Sequence, residues 1–293
     1  MIAIALVAFQ VAAAAPRQPV RAQDRAGMSP VAVGIAGPNH PHLVGETRTV
    51  VIDAGHGGVD PGMSGPIGAR HKVDEKDITL AVALKLGTAL KARGVKVVYT
   101  RTTDTLINLY DRGTIANQAH GDLFISIHVN AANQKWKNAG SARGFETYFL
   151  SEAKTEDAKR VEAMENAAVR YDTGTPIARN DPLSYILSDM QQNEHLRESM
   201  KLADGLQTAL GTVEPGPDRG VQQANFVVLR TAFMPAVLVE LGFGTNRADM
   251  QFMTNRNDQK RLATTLADAT VDYLNTYWSS VAGVADRTSG GGR

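Results

Sequence analysis

The chain contains no cysteine among its 293 residues. Disulfide bonds, thiolate zinc sites and cysteine nucleophiles are therefore excluded, and any metal must be held by His, Asp or Glu side chains. The chain also lacks an excess of one charge, since its formal net charge is only +1. Nothing in this balance indicates nucleic acid as a partner. The length allows one large domain or two small ones.

The amino-terminal apolar run is too short to span a membrane. Residues 1–15 are apolar and end in four alanines, as signal peptides do, although the usual basic residues before the apolar core are missing. We predict a signal peptide over residues 1–22 and export of the chain. Residues 23–46 carry several prolines and glycines without a period, which predicts a disordered linker.

Strand and helix patterns alternate from residue 47 onwards. Runs of apolar residues predict strands over 49–53, 95–100, 123–128, 144–150 (at the sheet edge), 225–229 and 235–241. Helical spacing predicts helices over 78–93, 106–120, 151–171, 183–210 and 257–278. This order predicts an α/β fold with a mostly parallel, twisted sheet of about six strands flanked by helices. The folded domain is expected over residues 47–280, followed by a disordered tail over 281–293.

Polar side chains stand at or just after the ends of three predicted strands. They are His56, His128 and Glu240, and Glu75 opens the helix after the first strand. The carboxyl ends of parallel strands meet at one edge of a sheet, so we expect these residues to converge. Two histidines and a carboxylate are typical of a catalytic zinc site with an open fourth position, and a second carboxylate can take a proton from water.

Each of these residues also has a plainer interpretation. His56 could be an ordinary loop residue, His128 a buried histidine bonded to backbone, and Glu75 a partner of the helix dipole. Glu240 is harder to explain in this way, because an unpaired buried carboxylate is costly.

Seven sequence features resemble those of the zinc-dependent N-acetylmuramoyl-L-alanine amidases of the type-3 family, in particular the cell-division type. In chain order they are residues 51–58 (VIDAGHGG), Glu75, 100–104 (TRTTD), 109–112 (LYDR), 126–131 (SIHVNA), 219–226 (RGVQQANF) and 237–243 (VLVELGF). The resemblance runs from about residue 47 to residue 278, so it covers nearly all of the predicted domain.

The resemblance implies a peptidoglycan hydrolase. His56, Glu75 and His128 would bind Zn²⁺, and Glu240 would act as general base and then as general acid. The bond cleaved would be the amide between the lactyl group of N-acetylmuramic acid and the first L-alanine of the stem peptide. Such an enzyme would serve cell-wall remodelling or daughter-cell separation, with the periplasm as its expected location.

Three further residues near the motifs are candidates for supporting roles. Asn130 follows His128 closely and is expected to hydrogen-bond the substrate or the metal-site loop. Arg101 and Arg112 are expected to form ion pairs within the fold, with substrate contacts as the alternative.

Residues 151–180 have no obvious place in a compact sheet sandwich. Division-associated members of the family carry a helical insertion here, which covers the active site and offers a glutamate to the zinc until an activator protein displaces it. On this resemblance, the segment is a regulatory insertion and Glu165 is its zinc contact, with Glu162 as the alternative. A periplasmic activator would then be a partner, besides peptidoglycan.

Two alternatives remain at this stage. A zinc peptidase or deacetylase acting on cell-wall fragments has the same kind of metal set, because specificity depends on the pocket and not on the metal. An inactive peptidoglycan-binding relative would be expected to lack a metal ligand or the base, whereas all four positions are filled in this chain.

Overall fold

The computed structural model describes residues 47–133, 135–173 and 182–289, without the side chains of 182–193 and 278–289. The predicted signal peptide and linker lie outside this part, as do residues 174–180 of the predicted insertion. Among the helices described, none combines the length and the apolar character needed to cross a membrane.

Eight strands form a six-stranded sheet and a small hairpin. In chain order they are β1 (Thr49–Ala54), β2 (Ser64–Gly65), β3 (Val73–Asp74), β4 (Lys96–Tyr99), β5 (Leu123–Asn130), β6 (Phe145–Leu150), β7 (Asp218–Ala224) and β8 (Ala236–Phe243). The main sheet has the order β4-β1-β5-β8-β6-β7, and β2 pairs with β3. Strands β4, β1, β5 and β8 are parallel, whereas β6 and β7 are parallel to each other and antiparallel to β8.

Helices cover both faces of the sheet. They are α1 (Glu75–Lys91), α2 (Leu109–Gln118), α3 (Glu156–Asn166), α4 (Pro182–Leu210), α5 (Val227–Arg230), α6 (Arg247–Thr254) and α7 (Arg256–Ser289). Side chains alternate along β1, so that Val50 and Ile52 pack against α1, α4 and α7 while Val51 packs on the side of α2, α3 and α5. The predicted α/β fold with a mostly parallel six-stranded sheet is confirmed.

The stripe predicted for the first helix is buried as expected. Ile78, Val82, Leu86 and Leu90 of α1 are all at most 2% exposed and lie in the core. Burying each such side chain contributes about 1.5–3 kcal/mol. This packing fixes α1 against β1 and thereby fixes the position of Glu75 at its first turn.

The strand predicted over residues 225–229 is wrong. Strand β7 ends at Ala224, and Val227–Arg230 form the short helix α5. The run from Phe226 to Leu229 is apolar because it is buried on the α2 side of the sheet, and a short apolar run does not distinguish a strand from a buried helix. Strand β7 itself begins at Asp218, before the predicted strand, and its outer position explains its polar sequence.

The strand at 144–150 was predicted at the sheet edge, and this is also wrong. Strand β6 lies between β8 and β7, so the edge is β7. At the carboxyl terminus, α7 continues past Trp278 to Ser289, into the segment predicted to be a disordered tail. No proline interrupts the sequence after Trp278, and the glycine run starts only at Gly290.

Candidate active site

The loop after β1 presents His56 at the carboxyl edge of the sheet. His56 has φ 60°, a left-handed conformation that costs energy for a residue with a side chain and is found mainly where the surrounding structure imposes it. Gly55 before it has no room for a side chain, because a Cβ there would lie 2.5 Å from the ring of His128. The glycine therefore lets the two histidines approach each other, with ring centroids 5.0 Å apart.

Four buried side chains converge at this edge: His56, Glu75, His128 and Glu165. Glu75 Oε1 lies 3.1 Å from His56 Nε2 and 3.2 Å from His128 Nδ1. Glu165 Oε2 lies 3.2 Å and 2.8 Å from the same two nitrogen atoms. One potential ligand atom from each residue thus lies within 4.8 Å of all the others.

The short distances to Glu165 are not hydrogen bonds. His56 Nε2, His128 Nδ1 and both carboxylate oxygens of Glu165 are buried and have no hydrogen-bond partner. In a tetrahedral site with bonds of about 2.0–2.1 Å, ligand atoms are about 3.3 Å apart, close to the separations seen here. Unpartnered nitrogen and oxygen atoms that face a common centre are what a cation site requires, so the cluster fits a metal such as zinc.

The cluster strongly favours positive charge. Burial lowers the pKa of both histidines, but the surrounding carboxylates outweigh it: the pKa of His56 lies well above its ordinary value, chiefly through Glu75, and that of His128 is raised to about 10, chiefly through Glu165. Burial raises the pKa of Glu75 and Glu165, but the histidines outweigh this effect and lower the pKa of both carboxyl groups. A divalent cation would satisfy the same two carboxylates.

The sides of His56 and Glu75 that face away from the cluster are held by hydrogen bonds. Asp60 Oδ2 lies 2.8 Å from His56 Nδ1, and its other oxygen accepts from Gly62 N at 3.1 Å. Glu75 accepts from Val129 N at 2.8 Å and from Met63 N at 3.0 Å. Partners of this kind fix the orientation of a metal ligand and raise its basicity.

Glu240 is completely buried beside the cluster. It is the register partner of His128 across β5 and β8, and both of its carboxylate oxygens lack a hydrogen-bond partner. Burial, followed by the nearby negative charge of Glu165, raises its pKa well above the ordinary value. A carboxyl group with these properties is suited to accept and return a proton.

Asn130 is held on both sides by protein groups. Its Nδ2 donates to Glu146 Oε1, and its Oδ1 accepts from Arg160 Nη2 at 3.2 Å. Glu146, on β6, is the register partner of Glu240 and also accepts from the hydroxyl of Tyr148 at 3.0 Å. In this arrangement Asn130 links the sheet edge to α3.

The two arginines are buried and bind the fold itself. Arg112 Nη1 donates to Asp53 Oδ1 at 2.8 Å, and its other donors reach backbone carbonyls that include that of His56 at 3.0 Å. Arg101 donates to the carbonyls of Ala54 and Gly55, each at 2.9 Å. Both arginines therefore hold the end of β1 and the His56 loop, and Arg101 does so through carbonyls instead of the expected ion pair.

Helix α3 carries Glu165 into the site. Thr155 caps its first turn by accepting from Ala158 N, and its buried residues are Ala158, Val161 and Glu165, which share one helical stripe. Glu162 lies at the margin of this stripe, is only partly buried, and accepts from Asn225 N at 2.9 Å. Of the two glutamates considered from the sequence, Glu165 is the one at the metal cluster.

A small pocket opens beside the cluster. It is bordered by His56, His128 and Glu165 on one side, and by Ile107 and Phe226 on another. The combination of apolar walls with a few converging polar groups is typical of a substrate site.

Two carboxylates around the site, Asp60 and Glu146, were not singled out from the sequence. Asp60 is four residues after His56 in a glycine-rich loop, where a carboxylate partner for a histidine ligand is common. Glu146 stands in an apolar strand, as Glu240 does, so the same argument would have singled it out. Arg219 opens one of the sequence features that resemble the family, but its partner Glu146 is 73 positions away, so no local pattern indicates their ion pair.

Comparison with known proteins identifies the family of this chain. The profile of the family described as N-acetylmuramoyl-L-alanine amidase matches residues 50–271. Amidase AmiA of Escherichia coli (strain K12) is 32% identical over 236 residues, which cover 80% of this chain and 78% of AmiA. Amidase AmiC of Neisseria meningitidis (strain MC58) is 33% identical over 234 residues, or 79% of this chain and 54% of AmiC.

Solved amidase structures share the fold. The N-acetylmuramoyl-L-alanine amidase of Clostridium difficile 630 superposes with a TM-score of 0.57 at 31% identity, covering 78% of this chain and 97% of that one. The catalytic domain of the amidase CwlV from Bacillus (Paenibacillus) polymyxa gives a TM-score of 0.56 at 28% identity, with 78% and 99% covered. The chain belongs to the type-3 family of N-acetylmuramoyl-L-alanine amidases and is an enzyme that hydrolyses the amide between N-acetylmuramic acid and L-alanine in peptidoglycan.

Proposed function

We propose that this amidase is a zinc enzyme in which His56, Glu75 and His128 hold the metal and Glu240 transfers the protons. The observation that carries the proposal is the set of buried nitrogen and oxygen atoms that face one centre without hydrogen-bond partners. Zinc at this centre would supply a Lewis acid for the scissile carbonyl and would lower the pKa of water.

The side chains around the metal cluster have distinct tasks in this mechanism. Asp60 keeps the Nε2 of His56 aimed at the cluster by binding its Nδ1. Glu240 takes a proton from the attacking water and returns it to the departing nitrogen of L-alanine. The low polarity of its buried surroundings favours the neutral acid, and this is the form that must donate the proton in the second step.

We also propose that α3 inhibits the enzyme in the arrangement seen here. The Glu165 carboxylate lies where a fourth metal ligand would be, so it excludes the attacking water and the substrate carbonyl together. Activity then requires α3 to move away, which also removes a negative charge that raises the pKa of Glu240. A partner protein that binds the displaced form better than the closed form would act as an activator.

The location follows from the substrate. Peptidoglycan lies outside the cytoplasmic membrane, so we propose that the chain is exported, that it works in the periplasm, and that it serves cell-wall remodelling or the separation of daughter cells. Detection of the protein in a periplasmic extract, with a cytoplasmic enzyme as marker, tests this part.

Metal analysis and activity of four proteins test the site. The wild type is compared with Glu240→Ala, Glu165→Ala and Glu162→Ala for bound zinc and for release of soluble stem peptides from peptidoglycan sacculi. We expect about one zinc per chain, no activity for Glu240→Ala, and higher activity for Glu165→Ala than for the wild type. Glu162→Ala is the matched control, because it removes a carboxylate from the same helix but not from the cluster.

Each part of the proposal can fail by itself. A folded protein without zinc would contradict the metal assignment. Equal activities of Glu165→Ala and the wild type would contradict inhibition by α3 and leave the metal site intact.

A further inference from the structure

Arg219 joins the sheet edge to α3 through two different carboxylates. Its Nε donates to Glu146 Oε2 at 3.1 Å, and its Nη2 donates to Asp157 on α3. The Glu146 side chain is only 2% exposed, whereas those of Asp157 and Arg219 are 31% and 32% exposed. One partner therefore belongs to the core, and the other belongs to the helix proposed to leave.

The guanidinium group is fixed independently of α3. Its carbon lies 5.0 Å from the centre of the Phe243 ring, and Glu146 holds its Nε. Glu146 is the register partner of Glu240. Arg219 therefore contacts the strand residue that is next to the proposed acid–base group. When α3 moves, Arg219 stays at the sheet with free N–H donors.

Helix α3 thus places two carboxylates at the site. Glu165 meets the metal cluster and Asp157 meets Arg219. Eight residues separate them, which corresponds to about 12 Å along a helix. A substrate that replaces α3 must place its scissile carbonyl at the metal cluster, where Glu165 lies here. It can place a negatively charged group at Arg219, where Asp157 lies here.

We infer that Arg219 is a specificity residue that binds a carboxylate of the stem peptide in the place that Asp157 occupies here. The inference rests on the proposed function in requiring that α3 leaves the site and that the scissile carbonyl binds at the metal cluster. A guanidinium group offers paired N–H donors that match a carboxylate, and its orientation over Phe243 is already set.

The spacing identifies which part of the peptide is bound. An extended chain spans at most about 3.3–3.6 Å per residue, so about 12 Å corresponds to the third or fourth residue beyond the scissile amide. A carboxylate at that distance is recognised, whereas a stem of two residues is too short to reach Arg219.

Steady-state kinetics on three soluble substrates test this inference in the full-length protein. The substrates are an N-acetylmuramoyl tetrapeptide with free carboxylates, the same compound with its carboxylates amidated, and an N-acetylmuramoyl dipeptide. Arg219→Gln is expected to raise KM for the acidic tetrapeptide by roughly tenfold or more. On the amidated tetrapeptide and the dipeptide it should only raise activity, because it also breaks the ion pair with Asp157 that holds α3.

Two further variants separate binding of the peptide carboxylate by Arg219 from the ion pair that holds α3 to Arg219. Asp157→Asn breaks the same ion pair from the helix side, so it should raise activity on all three substrates by the same factor and leave the preference for free carboxylates unchanged. Arg219→Lys keeps the charge but not the paired donors, so it should recover part of the preference. Arg219→Gln leaves the buried Glu146 without a cation and could therefore unfold. In that case Arg219→Lys takes its place in the test.

Several outcomes would overturn the inference. An unchanged preference for free over amidated carboxylates in folded Arg219→Gln, or in folded Arg219→Lys if the first variant unfolds, would show that Arg219 does not read the peptide. If Arg219→Gln and Asp157→Asn changed the activities on the three substrates identically, Arg219 would serve only to hold α3 in place. Failure of inhibition by α3 is visible separately, because neither Glu165→Ala nor Asp157→Asn would then raise activity.

Discussion

His128 and Glu240 are register partners on the neighbouring parallel strands β5 and β8, so their side chains leave the sheet side by side on the same face. His128 directs Nδ1 to the metal cluster, whereas Glu240 has no ligand or hydrogen-bond partner for its carboxylate. The sheet itself therefore sets the distance between the proposed metal ligand and the proposed acid–base group, with no flexible loop between them.

Replacing Glu240 by Gln should abolish turnover without releasing the metal. We expect kcat to fall by about 10²–10⁴, the usual contribution of a general acid–base group, and the metal content to stay the same. The variant should also melt at a higher temperature, because a buried carboxylate without a partner is removed. Loss of metal together with activity would instead make Glu240 a ligand.

Asp60→Ala should weaken metal binding without preventing it. Asp60 holds the Nδ1 side of His56, and loss of such a partner typically costs about 10–100-fold in metal affinity. Competition with a chelator of known affinity measures the change directly. Asp104→Ala is the control, since Asp104 accepts from Gly58 N in the same loop but does not touch the histidine. Equal losses in both variants would assign the effect to the loop.

Much of the fold and the convergence of the buried histidines and carboxylates could be predicted because their signals are local. Continuous apolar runs marked β1, β5 and β8, and a four-residue spacing marked α1. Once these strands are parallel, the convergence of His56 and His128 follows from topology alone. The edge strand β7 gave no such signal, because one side of it meets solvent and its sequence is polar.

The choice between Glu162 and Glu165 shows where sequence reasoning stopped too early. Ala158, Val161 and Glu165 share a stripe, and reading α3 by its period would have placed Glu165 inward. The contact between Glu146 and Arg219 could not be predicted in this way. These residues are 73 positions apart in the chain and meet only because β6 and β7 are neighbours in the sheet. No local pattern contains that information.

Arg112→Ala should act on stability and not on substrate binding. Arg112 and Asp53 form a buried ion pair at 2.8 Å, and Arg112 lowers the pKa of Asp53 against the opposing effect of burial. Removing one partner of such a pair typically costs about 3–5 kcal/mol of unfolding free energy. Urea unfolding measures this loss, with Arg197→Ala as the control because its ion pair with Glu194 is largely exposed.

The less disruptive change Arg112→Lys separates a structural role of Arg112 from a direct contact with the substrate. Lysine keeps the charge but makes fewer bonds to the carbonyls of the His56 loop. We expect a lower unfolding midpoint and an unchanged KM for a muramoyl peptide. A higher KM at unchanged stability would favour a direct contact with the substrate.

Glu214→Gln should change how stability depends on pH. Glu214 follows α4, is buried, and has no hydrogen-bond partner for Oε2. Burial raises its pKa to about 8 from an ordinary value of 4.5, repulsion by Asp249 adds to the shift, and Arg143 opposes it. Between these two pH values the folded protein binds more protons than the unfolded chain, so the free energy of unfolding falls as the pH rises towards 8.

The difference between wild type and Glu214→Gln isolates this effect from all other titrating groups. At pH 5 the two proteins should unfold at similar urea concentrations, because Glu214 is neutral in the folded wild type. At pH 9 the variant should be more stable by roughly 1–3 kcal/mol, because the wild type then carries a buried charge. Glu156→Gln, which alters an exposed carboxylate, provides the control. A constant difference across the pH range would mean that Glu214 finds a compensating partner when it ionises, and Arg143 is the nearby cation that can provide it.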